Sequence, residues 1–153
     1  MPEPVPGTWF VVPAFGRPEA TARALRSLFD DGARNVLLVD DEGRGHGEAM
    51  AVAFPILRII RTERTVYWTG AIRVGVERAL REGATGVVFF NQDVTVEDGF
   101  LGRLAETIRR NPGAVVGCAV VYGQDRERVW SAGARMAWFG RGFRILFYGR
   151  PLT

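Results

Sequence analysis

Hydrophobic and polar positions follow one another along this chain in blocks that predict strands and helices in alternation. Short apolar runs that end in polar residues predict five buried strands, at residues 9–12, 35–39, 56–60, 87–90 and 114–122. Apolar residues at helical spacing predict helices between them, over residues 19–29, 48–53, 70–82 and 97–111. This order predicts an α/β fold with a mostly parallel central sheet and right-handed crossovers.

The pattern changes after residue 122. Short apolar and aromatic pieces separated by Gly and Arg predict β-hairpins over residues 123–153. Aromatic residues, among them Trp138, Phe139 and Tyr148, are concentrated in the stretch 136–148. We expect this stretch either to pack back onto the sheet or to contact a partner, as a homodimer or with another chain.

Polar or aromatic residues follow three of the predicted strands. Phe15 comes after the first, Asp40 and Asp41 end the second, and Asn91-Gln92-Asp93 follows the fourth. In a parallel sheet these ends open on one side, where such folds bind ligands. An aromatic face, base-binding carboxylates and a metal-binding carboxylate would together suit a nucleoside diphosphate. The alternative is that the acidic residues form turns or cap the following helices.

Composition narrows the function classes. All 20 basic residues are Arg, which excludes a Walker A lysine and a Schiff-base lysine. His46 and Cys118 are single, so a His/Cys zinc site or a Ser-His-Asp triad has little material, and we expect Cys118 to be buried. The Arg residues are interleaved with acids, so we expect no nucleic acid partner. With no apolar run long enough to cross a bilayer and no signal peptide pattern, we expect a cytoplasmic protein.

Four segments, at residues 10–17, 37–43, 68–75 and 89–95, resemble in order and spacing the signatures of family 2 glycosyltransferases. The resemblance runs from about residue 9 to residue 149 and implies a Rossmann-like GT-A fold, a three-layer sandwich. Asn91 with Asp93 is similar to the Asn-x-Asp variant of rhamnosyltransferase-like members. The resemblance implies that Asp93 binds Mg²⁺ or Mn²⁺ at the donor diphosphate. It also implies a donor-nucleotide site formed by Pro13, Phe15, Asp40, Asp41, Trp68, Gly70, Arg73 and Asn91.

Within that implied site, Pro13 and Phe15 would line the base pocket and Asp40 would bond the base. Asp41 and Arg73 would lie near the base or ribose. Trp68 has two interpretations, because an aromatic residue before a helix is often core packing, whereas the resemblance places it near the donor sugar or diphosphate.

We therefore expect a single truncated GT-A domain over residues 1–153, with a nucleotide-binding βα core at 8–122, a β-rich tail at 123–153 and no acceptor half. The first hypothesis is transfer of a sugar from a dTDP-, UDP- or GDP-sugar to an acceptor hydroxyl, with the general base of the reaction not found in this chain. A membrane-surface acceptor is compatible with the charge of +3. The alternative hypothesis is a catalytically incomplete module that dimerises or docks through its aromatic segment.

Overall fold

The computed structural model describes residues 5–136 and 142–152, apart from the side chains of Met136 and Phe143. The chain divides into two compact units, Met1–Glu106 and Thr107–Thr153. The first unit carries the parallel sheet and the second carries short antiparallel hairpins. The sequence-based organisation, one domain with a core that ends at residue 122, stays a prediction.

The first unit contains strands β1 to β4 and helices α1 to α3, together with most of helix α4. The bounds are β1 Thr8–Ala14, α1 Pro18–Asp30, β2 Val36–Asp40, α2 Gly47–Ala53, β3 Arg58–Arg61, α3 Tyr67–Arg81, β4 Gly86–Phe89 and α4 Phe100–Arg110. A single 3-10 turn at Asp41–Gly43 separates β2 from α2.

The strands of the first unit form one parallel sheet in the order β3-β2-β1-β4. The chain winds from β1 outward to β3 and then returns through α3 to β4, on the other side of β1. Because such crossovers are right-handed, the reversal places α3 on the face opposite α1 and α2. The prediction of an α/β fold with a mostly parallel sheet is confirmed, and the point where the winding reverses lies between β1 and β4.

Helix α3 approaches the sheet closely through small residues. A Cβ added to Gly75 would collide with Cγ1 of Val11 on β1 and would lie 3.2 Å from Cγ2 of Val39 on β2. Ala71 and Ile72 pack against the same two valines. Gly75 therefore serves the close approach of α3 to the sheet.

The fourth strand was expected to be buried on both faces, and that prediction is wrong. Residues 86–88 are only half-buried, and Phe89 is 56% exposed. Within the described sheet β4 pairs with β1 alone and is an edge strand, so one of its sides has no neighbouring strand. An apolar run by itself does not distinguish a central strand from an edge strand.

The prediction of a fifth strand over residues 114–122 is also corrected. Residues 114–119 have no regular secondary structure, and β5 covers only Val120–Tyr122. Cys118, expected to be buried in that strand, is exposed. The apolar pattern alone did not determine whether residues 114–119 form a strand, because an apolar run becomes a strand only where another strand pairs with it.

The second unit contains two antiparallel pairs, in agreement with the predicted hairpin material. Strand β5 pairs with β6 (Asp125–Ser131), and β7 (Ala134–Met136) pairs with β8 (Phe143–Ile145). Trp138 and Phe139, part of the predicted contact stretch, lie outside the described residues. In the described part of the chain, every helix is too short or too polar to cross a membrane.

Replacing Gly75 by Ala should lower the free energy of unfolding by about 1–3 kcal/mol, because the added methyl group overpacks the contact with Val11. The matched control is Gly102→Ala on α4, where an added Cβ meets no atom within 4 Å. The control should be neutral or more stable by up to about 1 kcal/mol, the helix propensity gained. Urea unfolding of both variants measures the difference, and equal stabilities would contradict the close packing of α3.

Candidate donor-binding site at the carboxyl ends of β1 and β4

The ends of β1 and β4 are neighbours because the two strands pair in parallel from Thr8 with Gly86 to Val11 with Phe89. The loops that follow them therefore start side by side at the point where the winding of the sheet reverses. Ligands of open α/β sheets bind in the crevice at such a point.

Phe15 follows β1 with its side chain 44% exposed, while Pro13 is buried within the strand. The guanidinium carbon of Arg44 lies 5.6 Å from the centroid of the Phe15 ring. The backbones of these two loops are joined as well, since the Gly16 N–H donates to the Arg44 carbonyl at 2.7 Å. An aromatic ring with a cation beside it thus lies at the carboxyl end of β1, and its part in a base pocket stays a prediction.

Asp40 is the last residue of β2, and its side chain is fully buried. Its two carboxylate oxygens accept hydrogen bonds from the Gly45 N–H at 2.5 Å and the Gly47 N–H at 2.9 Å. Arg61 lies 3.6 Å away and pairs with the same carboxylate. In the structure, Asp40 therefore holds the Gly-rich loop over the end of β2. Its hydrogen bond to a base stays a prediction.

Asp41 is buried too, and its carboxylate fixes the start of α3. Its oxygens accept the N–H groups of Val66 at 2.9 Å and Tyr67 at 3.0 Å, and the Thr62 hydroxyl at 3.0 Å. These amides belong to the first turn of a helix, whose N–H groups have no partner inside the helix. The capping alternative therefore describes what Asp41 does here, although the helix it caps begins 26 residues later in the chain.

Trp68 lies in the first turn of α3, not in the loop that was predicted. The indole is 51% exposed, so Trp68 is not a core residue. Its ring meets Phe89 edge to face with centroids 6.4 Å apart, and its Nε1–H donates to Oδ1 of Asn91 at 3.0 Å. The structure thus brings Trp68 and Asn91 together, and their role in donor binding stays a prediction.

Gln92 joins the turn after β4 to the loop after β1. Its Oε1 accepts the Phe15 N–H at 2.8 Å, and its Nε2 donates to the Phe15 carbonyl at 3.0 Å. The Thr21 hydroxyl, on α1, lies 3.2 Å from the same Oε1. A primary amide can satisfy both the donor and the acceptor of one residue's backbone, so the Gln92 side chain fixes where Phe15 lies.

Asp93, the predicted metal ligand, is paired with Arg17. Nη1 of Arg17 lies 3.3 Å from Oδ2 of Asp93, and the two side chains are 67% and 49% exposed. Exposed pairs of this kind contribute little to stability. The carboxylate is therefore open to solvent and to an incoming ligand.

Two predicted residues of α3 stand apart from this cluster. A Cβ on Gly70 would lie 2.7 Å from Cβ of Val66, so this glycine serves the tight first turn of the helix. Arg73 pairs with Glu77 one turn along α3 at 3.5 Å. Among the described contacts, neither residue reaches the turn formed by residues 91–93.

The donor set fits a cation that arrives together with its phosphate ligands. Within the described residues there is no group of three or more His, Cys, Asp or Glu side chains able to hold a metal ion. Asp93 offers one carboxylate, and the amide oxygen of Asn91 already accepts the bond from Trp68. Mg²⁺ is commonly bound through one or two carboxylates, with phosphates and water completing its shell.

A family model described as Glycosyl transferase family 2 matches residues 9–152. The chain belongs to this family. The match includes all four segments on which the resemblance was based, and it supports a glycosyltransferase-like function. Family 2 members often use divalent metals. A search of the curated proteins finds no significant match to this chain.

Sequence reasoning missed three residues of this candidate site: Gln92, Arg17 and Arg44. Gln92 and Arg17 lie inside the quoted motifs, yet no role was assigned to them, since their partners are 77 and 76 residues away in the sequence. Arg44 lies just beyond the second motif, and its place over Phe15 depends on the fold of the Gly-rich loop. Gln92 and Arg17 could have been proposed from the sequence, because both lie inside motifs whose other residues had been assigned roles.

Replacing Gln92 by Ala should lower the free energy of unfolding by about 1–3 kcal/mol, because its two hydrogen bonds to the Phe15 backbone are lost and each contributes roughly 0.5–1.5 kcal/mol. Amide hydrogen exchange of Phe15 should accelerate in the same variant. The control is Gln124→Ala, which changes an exposed glutamine between β5 and β6. A Phe15 amide that exchanges equally fast in both variants would show that Gln92 does not hold this loop.

Proposed function

We propose that this family 2 glycosyltransferase binds a nucleoside diphosphate sugar, with Mg²⁺ or Mn²⁺, in the crevice beyond β1 and β4, and transfers the sugar to an acceptor hydroxyl. The observation that carries the proposal is the assembly of Phe15, Trp68 and residues 91–93 at one sheet edge. An exposed aromatic ring, an indole and a solvent-accessible carboxylate meet where open sheets bind ligands.

In this proposal the base stacks at Phe15, near Arg44, and the diphosphate lies toward Asp93. Stacking on an exposed aromatic face suits every base, so it gives affinity without choosing the nucleoside. Asp40 and Asp41 act indirectly, because their carboxylates hold the Gly-rich loop and the start of α3 in position. Trp68 and Asn91 line the side of the crevice toward the sugar.

The cation would be held by Asp93, with Asn91 beside it, and would neutralise charge on the departing diphosphate as a Lewis acid. The chain's own residues do the remaining work on the donor. The two hydrogen bonds between the Gln92 side chain and the Phe15 backbone keep the base end and the phosphate end of the site at a fixed distance. Fixed positioning lowers the barrier because less freedom is lost at the reacting geometry.

The nucleoside and the acceptor are left open in this proposal. dTDP-, UDP- and GDP-sugars are the candidate donors, and the Asn-x-Asp form keeps a rhamnosyltransferase-like role among the candidate functions. An acceptor at a membrane surface and a cytoplasmic location stay predictions from the sequence.

A second candidate function is docking of a partner through the aromatic segment 136–148. Phe147 and Tyr148 are 54% and 61% exposed, which favours a contact surface. Residues 137–141 of the segment lie outside the described residues. Light scattering at increasing protein concentration tests this function, and a molar mass that stays that of one chain would exclude the homodimer.

The first test of donor binding is isothermal titration of UDP, dTDP and GDP into the protein, with Mn²⁺ or with EDTA. One nucleotide should bind, and Mn²⁺ should strengthen its binding. Asp93→Asn should weaken binding with Mn²⁺ roughly tenfold or more, the loss of a charge-assisted contact, and should not weaken binding in EDTA. The matched control, Asp98→Asn, removes the charge of an exposed carboxylate five residues later and should bind like the wild type. Absence of binding by all three nucleotides at millimolar concentration would contradict the proposed function.

Trp68→Ala should reduce nucleotide affinity while lowering the free energy of unfolding by only about 1 kcal/mol, the range of an aromatic pair contact. The comparison variant is Trp9→Ala, whose side chain is 4% exposed in the core. It should cost about 3–5 kcal/mol. A Trp68→Ala variant as unstable as Trp9→Ala would favour core packing over a role in the site.

A further inference from the structure

The position of Arg17 relative to Asp93 is determined by the backbone around both residues. Gln92 precedes Asp93 and binds both backbone groups of Phe15, two residues before Arg17. The Thr21 hydroxyl lies 3.0 Å from the Arg17 carbonyl and 3.2 Å from Oε1 of Gln92. The N-terminal turn of α1 is thereby fixed against the turn after β4, so the guanidinium stays within reach of the carboxylate.

Other arginines of the first unit pair elsewhere. Arg44 pairs with Glu42 at 3.4 Å, Arg61 with Asp40 and Glu48, and Arg73 with Glu77. Among the described ion pairs, Arg17 is the guanidinium that faces the candidate metal carboxylate. The Arg17 guanidinium therefore neutralises the same carboxylate that a bound cation would neutralise.

A divalent cation on Asp93 and the Arg17 guanidinium repel each other, because both would lie within a few ångströms of one carboxylate. The ion pair is exposed and weak, so it is readily exchanged. A guanidinium released from Asp93 would be near the diphosphate that comes with the cation. Arg binds such groups in a bidentate manner.

We propose that Arg17 is an exchangeable counter-ion of the donor site. It neutralises Asp93 when no cation is present, and it moves onto the diphosphate oxygens when the cation takes Asp93. This inference rests on the proposed function, and it assigns a donor-binding role to a residue outside the predicted site. It also explains how a site with one carboxylate favours the cation and diphosphate together over the cation alone.

The proposal predicts effects of opposite sign in Arg17→Gln. Mn²⁺ alone should bind about two- to fivefold more tightly, because no guanidinium competes for Asp93. UDP, dTDP or GDP at saturating Mn²⁺ should bind roughly ten- to a hundredfold more weakly, because a charge-assisted contact to the diphosphate is lost. Mn²⁺ binding is followed by electron paramagnetic resonance of the free ion, and nucleotide binding by calorimetry.

Two further variants separate charge from geometry. Arg23→Gln removes the same charge from an exposed position further along α1 and should leave both affinities unchanged. Arg17→Lys keeps the charge without the bidentate fork, so its Mn²⁺ affinity should stay near that of the wild type while nucleotide affinity falls. The unfolding midpoint of each variant establishes that it is folded.

Unchanged Mn²⁺ affinity in Arg17→Gln, or no detectable Mn²⁺ binding by either protein, would overturn the counter-ion role. Nucleotide binding that is unchanged or tighter in Arg17→Gln would overturn the move onto the diphosphate. If the wild type binds Mn²⁺ but none of the nucleotides, the proposed function fails and the diphosphate step fails with it. In that case the Mn²⁺ titrations still report separately whether Arg17 competes for Asp93.

Discussion

Two buried carboxylates at the end of β2 are the constraint on which the rest of this structure depends. Asp40 and Asp41 are adjacent and almost fully buried, and a buried charge is costly unless hydrogen bonds compensate it. The compensating groups are backbone N–H groups of the Gly-rich loop and of the first turn of α3. Both segments must bring their amides to the end of β2, so the hydrogen bonds of the two carboxylates determine where the walls of the candidate site lie. Gly45 and Gly47 allow this approach, because a Cβ at either position would collide with an Asp40 carboxylate oxygen.

The turn after β4 connects these walls. Its three consecutive residues have three different partners: Asn91 contacts Trp68 on α3, Gln92 binds the loop after β1, and Asp93 pairs with Arg17 at the start of α1. The chain turns at these residues, with the Val94 N–H donating to the Asn91 carbonyl at 3.3 Å, and the three side chains reach different parts of the first unit. A displacement of any of these elements would therefore be felt at the carboxylate.

The turn after β4 carries a single carboxylate, and one guanidinium pairs with it. Asn91 contributes a neutral amide two residues before Asp93, and the Arg17 guanidinium pairs with the Asp93 carboxylate. Such a site attracts a lone cation weakly. A cation that carries phosphate oxygens as further ligands would bind more strongly, since those oxygens supply the charge that the protein lacks.

The sequence by itself determined the order of strands and helices, the parallel sheet and the family, because local hydrophobic periodicity and short motifs carry that information. It also indicated that Phe15 and Asp93 belong to the same edge. Only the tertiary structure decided that Asp40 and Asp41 are occupied by backbone amides, that β4 lies at an edge, and that Arg17 faces Asp93. These outcomes depend on hydrogen bonds and pairings between residues up to 77 positions apart, and no local pattern specifies which distant group will satisfy a buried carboxylate or cover the side of a strand.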